Sequence, residues 1–338
     1  MSRPSIDPDS ARMVRLVRNY AARSGITKDL AGNIARLQYG DIPIGVIHTA
    51  KMAVLEAAGC MVVGALQGSS RKVLRYVRSL GGVPDATCLY YGDRTNIHNA
   101  ALANGTFCHG AQESVVIPAA LAVAEKEMAN GHEVLTAIVT GWEITLRLAA
   151  AAAPTVPLER PLDPISTFGP FGAAAATGKI QRFNESEMEN AITCCPAQAA
   201  GTLQTTLTGG ESARAVSGFA ASYGVRAATM ARQGVSGARD MLEGRRGFFM
   251  CIAGLKGDGT PRFDIDKVNG GFAEKWYIGD VNHETSETIK AGFKRDAELT
   301  GITKTNQQKV TEIVSNLERQ TDVDELISSL VLGGVGKP

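Results

Sequence analysis

The chain has 338 residues, 44% hydrophobic and 20% charged, enough to bury a sizeable core as one large domain or two ordinary ones. Thirty-five basic residues against thirty-four acidic ones leave a net charge of +1, so no overall field draws the chain to phosphate backbones or anionic lipid, and nucleic acid is not expected as a partner. The N-terminus MSRPSIDPDSARMVRLV has no apolar signal core, and no stretch reaches about 18 uncharged apolar residues, which predicts a cytoplasmic protein with no membrane partner.

Aromatic content is 6%, alanine and glycine are abundant, and apolar residues recur at three and four positions, as in closely approaching helices. A helix-start signal at Asp41-Ile42-Pro43 opens a long buried helix with Val46, Ile47, Ala50, Val54, Leu55 and Ala58 on one stripe. Further helices are expected over 70–80, 96–108, 118–128 and 133–153, the last so rich in alanine that it should lie centrally. STFGPFGAAAATGKI predicts a Gly-Pro bend and then a small-residue helix. Asn184 should cap a helix over 185–200, and 218–233 completes the set. After Gly247 the texture turns to glycine and charge, with helical spacing returning from Asn306 and GGVGKP as a frayed tail. Six cysteines, at 60, 88, 108, 194, 195 and 251, form no C-x-x-C pair and no zinc-spaced cluster with histidine, and read as reduced, mostly buried thiols. No Rossmann or Walker signature is present, so neither metal nor other cofactor is expected.

Four blocks, in this order and separation, resemble the MmgE/PrpD family of cofactor-independent lyases and isomerases, whose members include methylcitrate dehydratase, cis-aconitate decarboxylase and iminodisuccinate epimerase. They are LQYGDIPIGVIHTAKMAVLEAAGCMVVGA, NAALANGTFCH followed by VVIPAALAVAEKEMANGHEVLTAIVTGWEITLRLA, TFGPFGAAAATGKI, and SGFAASYGVRAATMARQGVSGARDMLEGRRGF. The resemblance covers roughly residues 30 to 280. It implies a mainly α chain, with a large all-helical domain over 1–250, a reduced and partly truncated α+β lid over 251–300, and C-terminal helices over 301–338 that return to the helical domain. It also implies a homodimer and a small-molecule substrate bound between the helical domain and the lid.

Family chemistry moves a proton next to a carboxylate, and needs an acid, a base and cations for the substrate's carboxylates. By resemblance His109 matches the first histidine of the NG-x-x-x-H block, while Gln112 stands for an aspartate and a later histidine has no counterpart. Asp163 takes the place of a histidine four positions ahead of Thr167, and Ala213 that of a lysine, with Arg214 beside it keeping a positive charge. His109 and Asp163 are therefore candidate proton-transfer groups, with Arg214, Gln112 and Thr167 as candidate substrate contacts. Each has a bland alternative: a hydrogen-bonded structural histidine, a turn former before Pro164, an interface arginine, a drifted glutamine, and a threonine that with Ser166 serves the bend. Cys194-Cys195 has no partner base in sequence and reads as structural.

Three functions remain compatible with these residues. One is an enzyme of altered chemistry (dehydration, isomerisation or cyclisation) on a bulky substrate. The second is a conventional family lyase or epimerase on a small di- or tricarboxylic acid, and the third a non-catalytic scaffold.

Overall fold

The computed structural model describes residues 8–20, 22–110, 114–280 and 285–332. Gln112 and the expected frayed tail lie outside the described residues. The helices are α1 Pro8–Asn19, α2 Ile26–Arg36, α3 Ile44–Ala65, α4 Gly68–Leu80, α5 Ile97–Phe107, α6 Val116–Glu127, α7 Gly131–Ala152 and α8 Pro164–Ile180. They continue with α9 Glu185–Cys194, α10 Gln204–Thr208, α11 Ser212–Arg232, α12 Phe248–Ile252, α13 Asp266–Asn269, α14 Ser286–Leu299, α15 Lys304–Ser315 and α16 Asp324–Ser329. Among the described residues the one sheet is a hairpin of β1 Ala86–Cys88 and β2 Asp93–Thr95, antiparallel with Ala86 opposite Thr95. The chain is mainly α, as its periodicity predicts.

Two apolar clusters fill the interior. One gathers α3, α5, α6, the first half of α7 and the C-terminal helices; the other gathers α2, α8, α9 and the second half of α7 with Phe248, Phe249 and Phe263. Helices α7, α8 and α11 contribute to both, and small residues let them approach closely. Gly172 and Gly141 face each other so tightly that a Cβ on Gly172 would stand 2.5 Å from the Gly141 carbonyl oxygen. The Ala-rich α7 is accordingly almost wholly buried. Helices α3 and α7, 22 residues each, are long and apolar enough to cross a membrane by length and composition, but 72% and 78% of those windows are buried within this fold, as in core helices of compact proteins.

Helix starts follow the cap residues. Asn130 and Asn184 each accept from the backbone N–H three residues on, and Glu133 and Glu187 bond back to the cap N–H. Several expectations need correction. The Gly169-Pro170 pair does not precede the small-residue helix but lies within it: α8 is continuous from Pro164 to Ile180, enclosed by its neighbours, and forgoes one main-chain hydrogen bond at Pro170. Helix α9 stops at Cys194 and tightens into a 3-10 turn over Cys195–Ala197, since Pro196 cannot continue the ladder. Helix α11 starts at Ser212 rather than Gly218. Unforeseen elements are α1, α2, the hairpin, the short α10, α12 and α13, and α14, which lays Ile289, Phe293 and Ala297 against α3.

The C-terminal helices join the core that contains α3. Lys51 of α3 forms an ion pair with Glu318 and donates to the Ser315 carbonyl at 3.0 Å, while Leu332 N–H donates to the Tyr90 carbonyl at 3.0 Å. Arg147, fully buried in α7, holds the 268–275 segment: it pairs with Glu143 at 2.8 Å and donates to the carbonyls of Val268, Gly270, Gly271 and Lys275. The Phe272 and Tyr277 rings flank its guanidinium at 5.0 and 5.1 Å.

Candidate active site

Helix α11 packs against both α5 and α8, and the ends of these three helices bring the candidate residues together. His109 follows the Cys108 cap of α5, Asp163 caps the N-terminus of α8, and Arg214 lies in the first turn of α11. All three side chains are half-buried. The α5–α11 crossing depends on Gly105 and Gly218, which meet so closely that a Cβ on Gly218 would stand 2.2 Å from the Leu102 carbonyl oxygen. That approach seats His109 Nδ1 at 3.3 Å from the hydroxyl of Ser217, a fully buried side chain.

Burial holds the His109 imidazole below the ordinary histidine range; the nearby Arg214 charge pushes the same way, and the Asp163 carboxylate opposes both. The three charges are thus within electrostatic reach of one another. The Nδ1–Ser217 contact engages one ring nitrogen; in the tautomer in which Nδ1–H donates to Ser217, Nε2 carries the lone pair that a base requires.

Asp163 accepts from Ser166 N–H at 2.9 Å and from Ser166 Oγ at 2.6 Å. Its side chain therefore serves as the α8 cap, with further acceptor capacity on a carboxylate. Thr167 is fully buried and its hydroxyl donates to the Asp163 carbonyl at 2.7 Å, which steadies the same turn. Glu211, three residues before Arg214, is engaged by Lys72 at 2.6 and 2.7 Å. Among the described residues no carboxylate forms an ion pair with Arg214. A cation at the positive end of a 21-residue helix favours an anion beside it.

Next to Asp163 a cavity of about 250 Å³ opens between Ser166, the 198–205 segment and the face of α11 that carries Val216, Phe219 and Tyr223; neither His109 nor Arg214 lines it. Asp163 stands at its edge, its Cβ 3.9 Å from where a side chain on Gly201 would begin. Larger hollows of about 760 and 660 Å³ lie elsewhere, around Arg94 and Glu125 and around Arg182 and Glu133. Each holds an ion pair, Arg94 to Glu125 and Arg182 to Glu133 at 2.6 Å each. Among the described residues no group of three or more His, Cys, Asp or Glu is placed to hold a metal ion. None of the six cysteines forms a disulfide, and Cys251 is exposed rather than buried. Burial pushes the Cys194 thiol up and the Cys195 thiol well up, away from thiolate chemistry.

The sequence profile of the MmgE/PrpD N-terminal domain matches residues 28–258, which run from within α2 through α12 and take in all three candidate helix ends. The chain belongs to the MmgE/PrpD family. Among curated relatives, the cis-aconitate decarboxylase-like protein oryM of Aspergillus oryzae is 25% identical over 284 residues, covering 78% of this chain and 59% of the relative. The cis-aconitate decarboxylase of Aspergillus terreus is 27% identical over 274 residues, 76% of this chain and 56% of the relative. That of Mus musculus is 23% identical over 255 residues, 71% and 52% respectively. The matched region thus spans little more than half the length of these MmgE/PrpD relatives.

Ser217, Phe219 and Tyr223 escaped the sequence reading. Ser217 sits three residues beyond Arg214 on one helix, a relationship visible only once α11 is known to begin at Ser212.

Proposed function

We propose that this chain carries a lyase- or isomerase-like proton-transfer site of altered chemistry within the MmgE/PrpD family. The observation that supports it best is a half-buried His109 held neutral between Arg214 and Asp163 at the joined ends of α5, α8 and α11. In this reading Arg214 binds a substrate carboxylate, which acidifies the adjacent C–H by taking up negative charge as the carbanion forms. Nε2 of His109 removes that proton, and the Asp163 carboxylate stabilises the imidazolium that results. The proton then returns at another carbon in an isomerisation, or goes to a departing oxygen in a dehydration. No cofactor enters these steps. Thr167 contributes through the backbone of Asp163 rather than by touching substrate.

A conventional polycarboxylate lyase is the second reading, favoured by the names of the fungal and mouse relatives. Against it stands Ala213, where the family has a lysine. The working unit in either reading is a homodimer acting on a small molecule. Solvent exchange tests the proposal: with a carboxylic-acid substrate in D₂O, deuterium should enter next to the carboxylate with the unaltered protein. It should fail to do so with His109→Ala, and equal incorporation by both proteins overturns the reading.

A further inference from the structure

Three lysines converge on a hollow remote from the proton-transfer cluster. Helices α14 and α15, joined by the 300–303 segment, both contribute apolar residues to the core that contains α3, and a groove of about 580 Å³ runs between them at the surface. It lies beyond residues 28–258, the stretch matched by the family profile. Lys290, Phe293 and Lys294 line one wall, at i, i+3 and i+4 on α14, while Lys304, Gln308 and Thr311 line the other, at i, i+4 and i+7 on α15. Each helix therefore turns one continuous face to the groove.

All three lysines are placed against local preference. Lys290 and Lys294 stand one turn apart on α14, where like charges repel. Lys304 is the first residue of α15, at the positive end of the helix dipole, where a cation is disfavoured. Among the described residues Lys294 and Lys304 form no ion pair, and the Lys290 partner, Glu287 at 3.6 Å, has an 88% exposed side chain and is screened by solvent. An anion in the groove turns each of these repulsions into an attraction. Glu312 is the one carboxylate on the lining, so three ammonium groups against it leave +2.

We propose that this groove binds a phosphate monoester with a hydroxylated body, at a site separate from His109. At neutral pH such an ester carries a charge of about −1.5 to −2, which balances the excess, whereas a single carboxylate meets only half of it. Lysine engages phosphate as a point charge. The volume falls in the small-molecule range of roughly 300–1,000 Å³ and leaves room for the rest of the ester. Gln308, Thr311, Ser315 and Asn316 face that room with amides and hydroxyls. The Thr311 and Ser315 hydroxyls donate to the carbonyls of Gln307 and Thr311, at 2.9 and 2.7 Å, and so keep their oxygens as acceptors for ligand hydroxyls.

Isothermal titration calorimetry on the full chain at low salt tests the site with glucose 6-phosphate, and glucose is the uncharged control. The expected result is saturable binding of the phosphate and none of glucose. Affinity should fall about threefold in Lys294→Gln or Lys304→Gln and about tenfold in the double variant, the scale of exposed ion pairs lost one and two at a time. Lys28→Gln, which removes an exposed lysine on α2, should leave it unchanged. The lysine variants of the groove should melt no lower than the unaltered protein, since each removes a repulsion, so weaker binding cannot be read as lost fold. Co-sedimentation with phosphatidic acid vesicles separates a lipid headgroup from a soluble ester, and the protein should stay in the supernatant. Absent binding of glucose 6-phosphate, equal binding of glucose, or capture by the vesicles without binding of the soluble ester each overturns the proposal. So does an unchanged affinity in the double variant, or a Lys28→Gln effect as large as that of the double variant.

Discussion

The imidazole of His109 and the hydroxyl of Ser217 meet across the α5–α11 crossing, Nδ1 to Oγ at 3.3 Å. Ser217 is fully buried and His109 half-buried, so the contact anchors the imidazole through Nδ1.

This pairing has a pH signature. Because burial and Arg214 depress the His109 pKa below 6.5, the folded protein holds it neutral at pH 7. The stability linked to it is present above the unfolded value and lost as pH falls through the folded one. Histidine NMR signals should show a midpoint for His109 below 6.5, moving up in Arg214→Gln and further down in Asp163→Asn. Activity on a carboxylic-acid substrate should fall on the acid side with the same midpoint. A midpoint at or above 6.5 would contradict the electrostatic arrangement.

Substitution separates chemistry from capping at Asp163. Asp163→Asn keeps a good N-cap for α8 and should leave the melting temperature nearly unchanged while lowering turnover by roughly a hundredfold, because the imidazolium formed at His109 loses the carboxylate that stabilises it. His109→Ala should have an effect of the same order. Asp163→Ala should in addition lose about 1 kcal/mol of stability with the cap. Full activity in both Asp163→Asn and His109→Ala would move the chemistry elsewhere in the chain.

Neither methylcitrate nor cis-aconitate should be turned over at a useful rate. By the family resemblance Asp163 takes the place of a histidine and Ala213 that of a lysine, which would leave too little positive charge for three carboxylates. Product formation from either acid, followed by absorbance or NMR, is the direct check.

Close helix approach should be as important to the site as its ionisable groups. A Cβ at Gly218 would fall 2.2 Å from the Leu102 carbonyl oxygen and 2.3 Å from Thr106 Oγ1, so Gly218→Ala should cost about 1–3 kcal/mol as overpacking. By forcing α11 away from α5 it should also lengthen the His109–Ser217 contact and bring the His109 midpoint back toward its ordinary value. Denaturant titration and the histidine spectrum read the two effects separately.

Arg147 offers a test remote from the site. Arg147→Met strands the buried Glu143, whose carboxyl burial already pushes up in pKa, and leaves the carbonyls over 268–275 without their donor. The expected loss is about 3–5 kcal/mol, with faster hydrogen exchange over 266–280. Adding Glu143→Gln should recover part of the stability, since it removes the unpaired charge.

Much of this architecture is legible in the sequence because local rules coincide with the final packing. The stripe on α3, the asparagine caps of α7 and α9, and the alanine-rich α7 each state an element and its buried face. The family blocks also pointed to His109, Asp163 and Arg214, whose helix ends lie within electrostatic reach of one another. Local rules misled where tertiary contacts outweighed them. Pro170 signals a bend, yet the helix it lies in is so enclosed that losing one hydrogen bond does not break it. The apolar residues of α14 recur every fourth position but are sparse among charges, and only the surface of α3 gives them a partner. The start of α11 was hidden because Ser212 to Val216 lacks an apolar pattern of its own. Sequence alone thus determined a helical, small-residue core and the identity of the candidate groups. The tertiary structure decided their surroundings, because the desolvation of His109 and its Ser217 contact arise only when α5 and α11 are brought within contact.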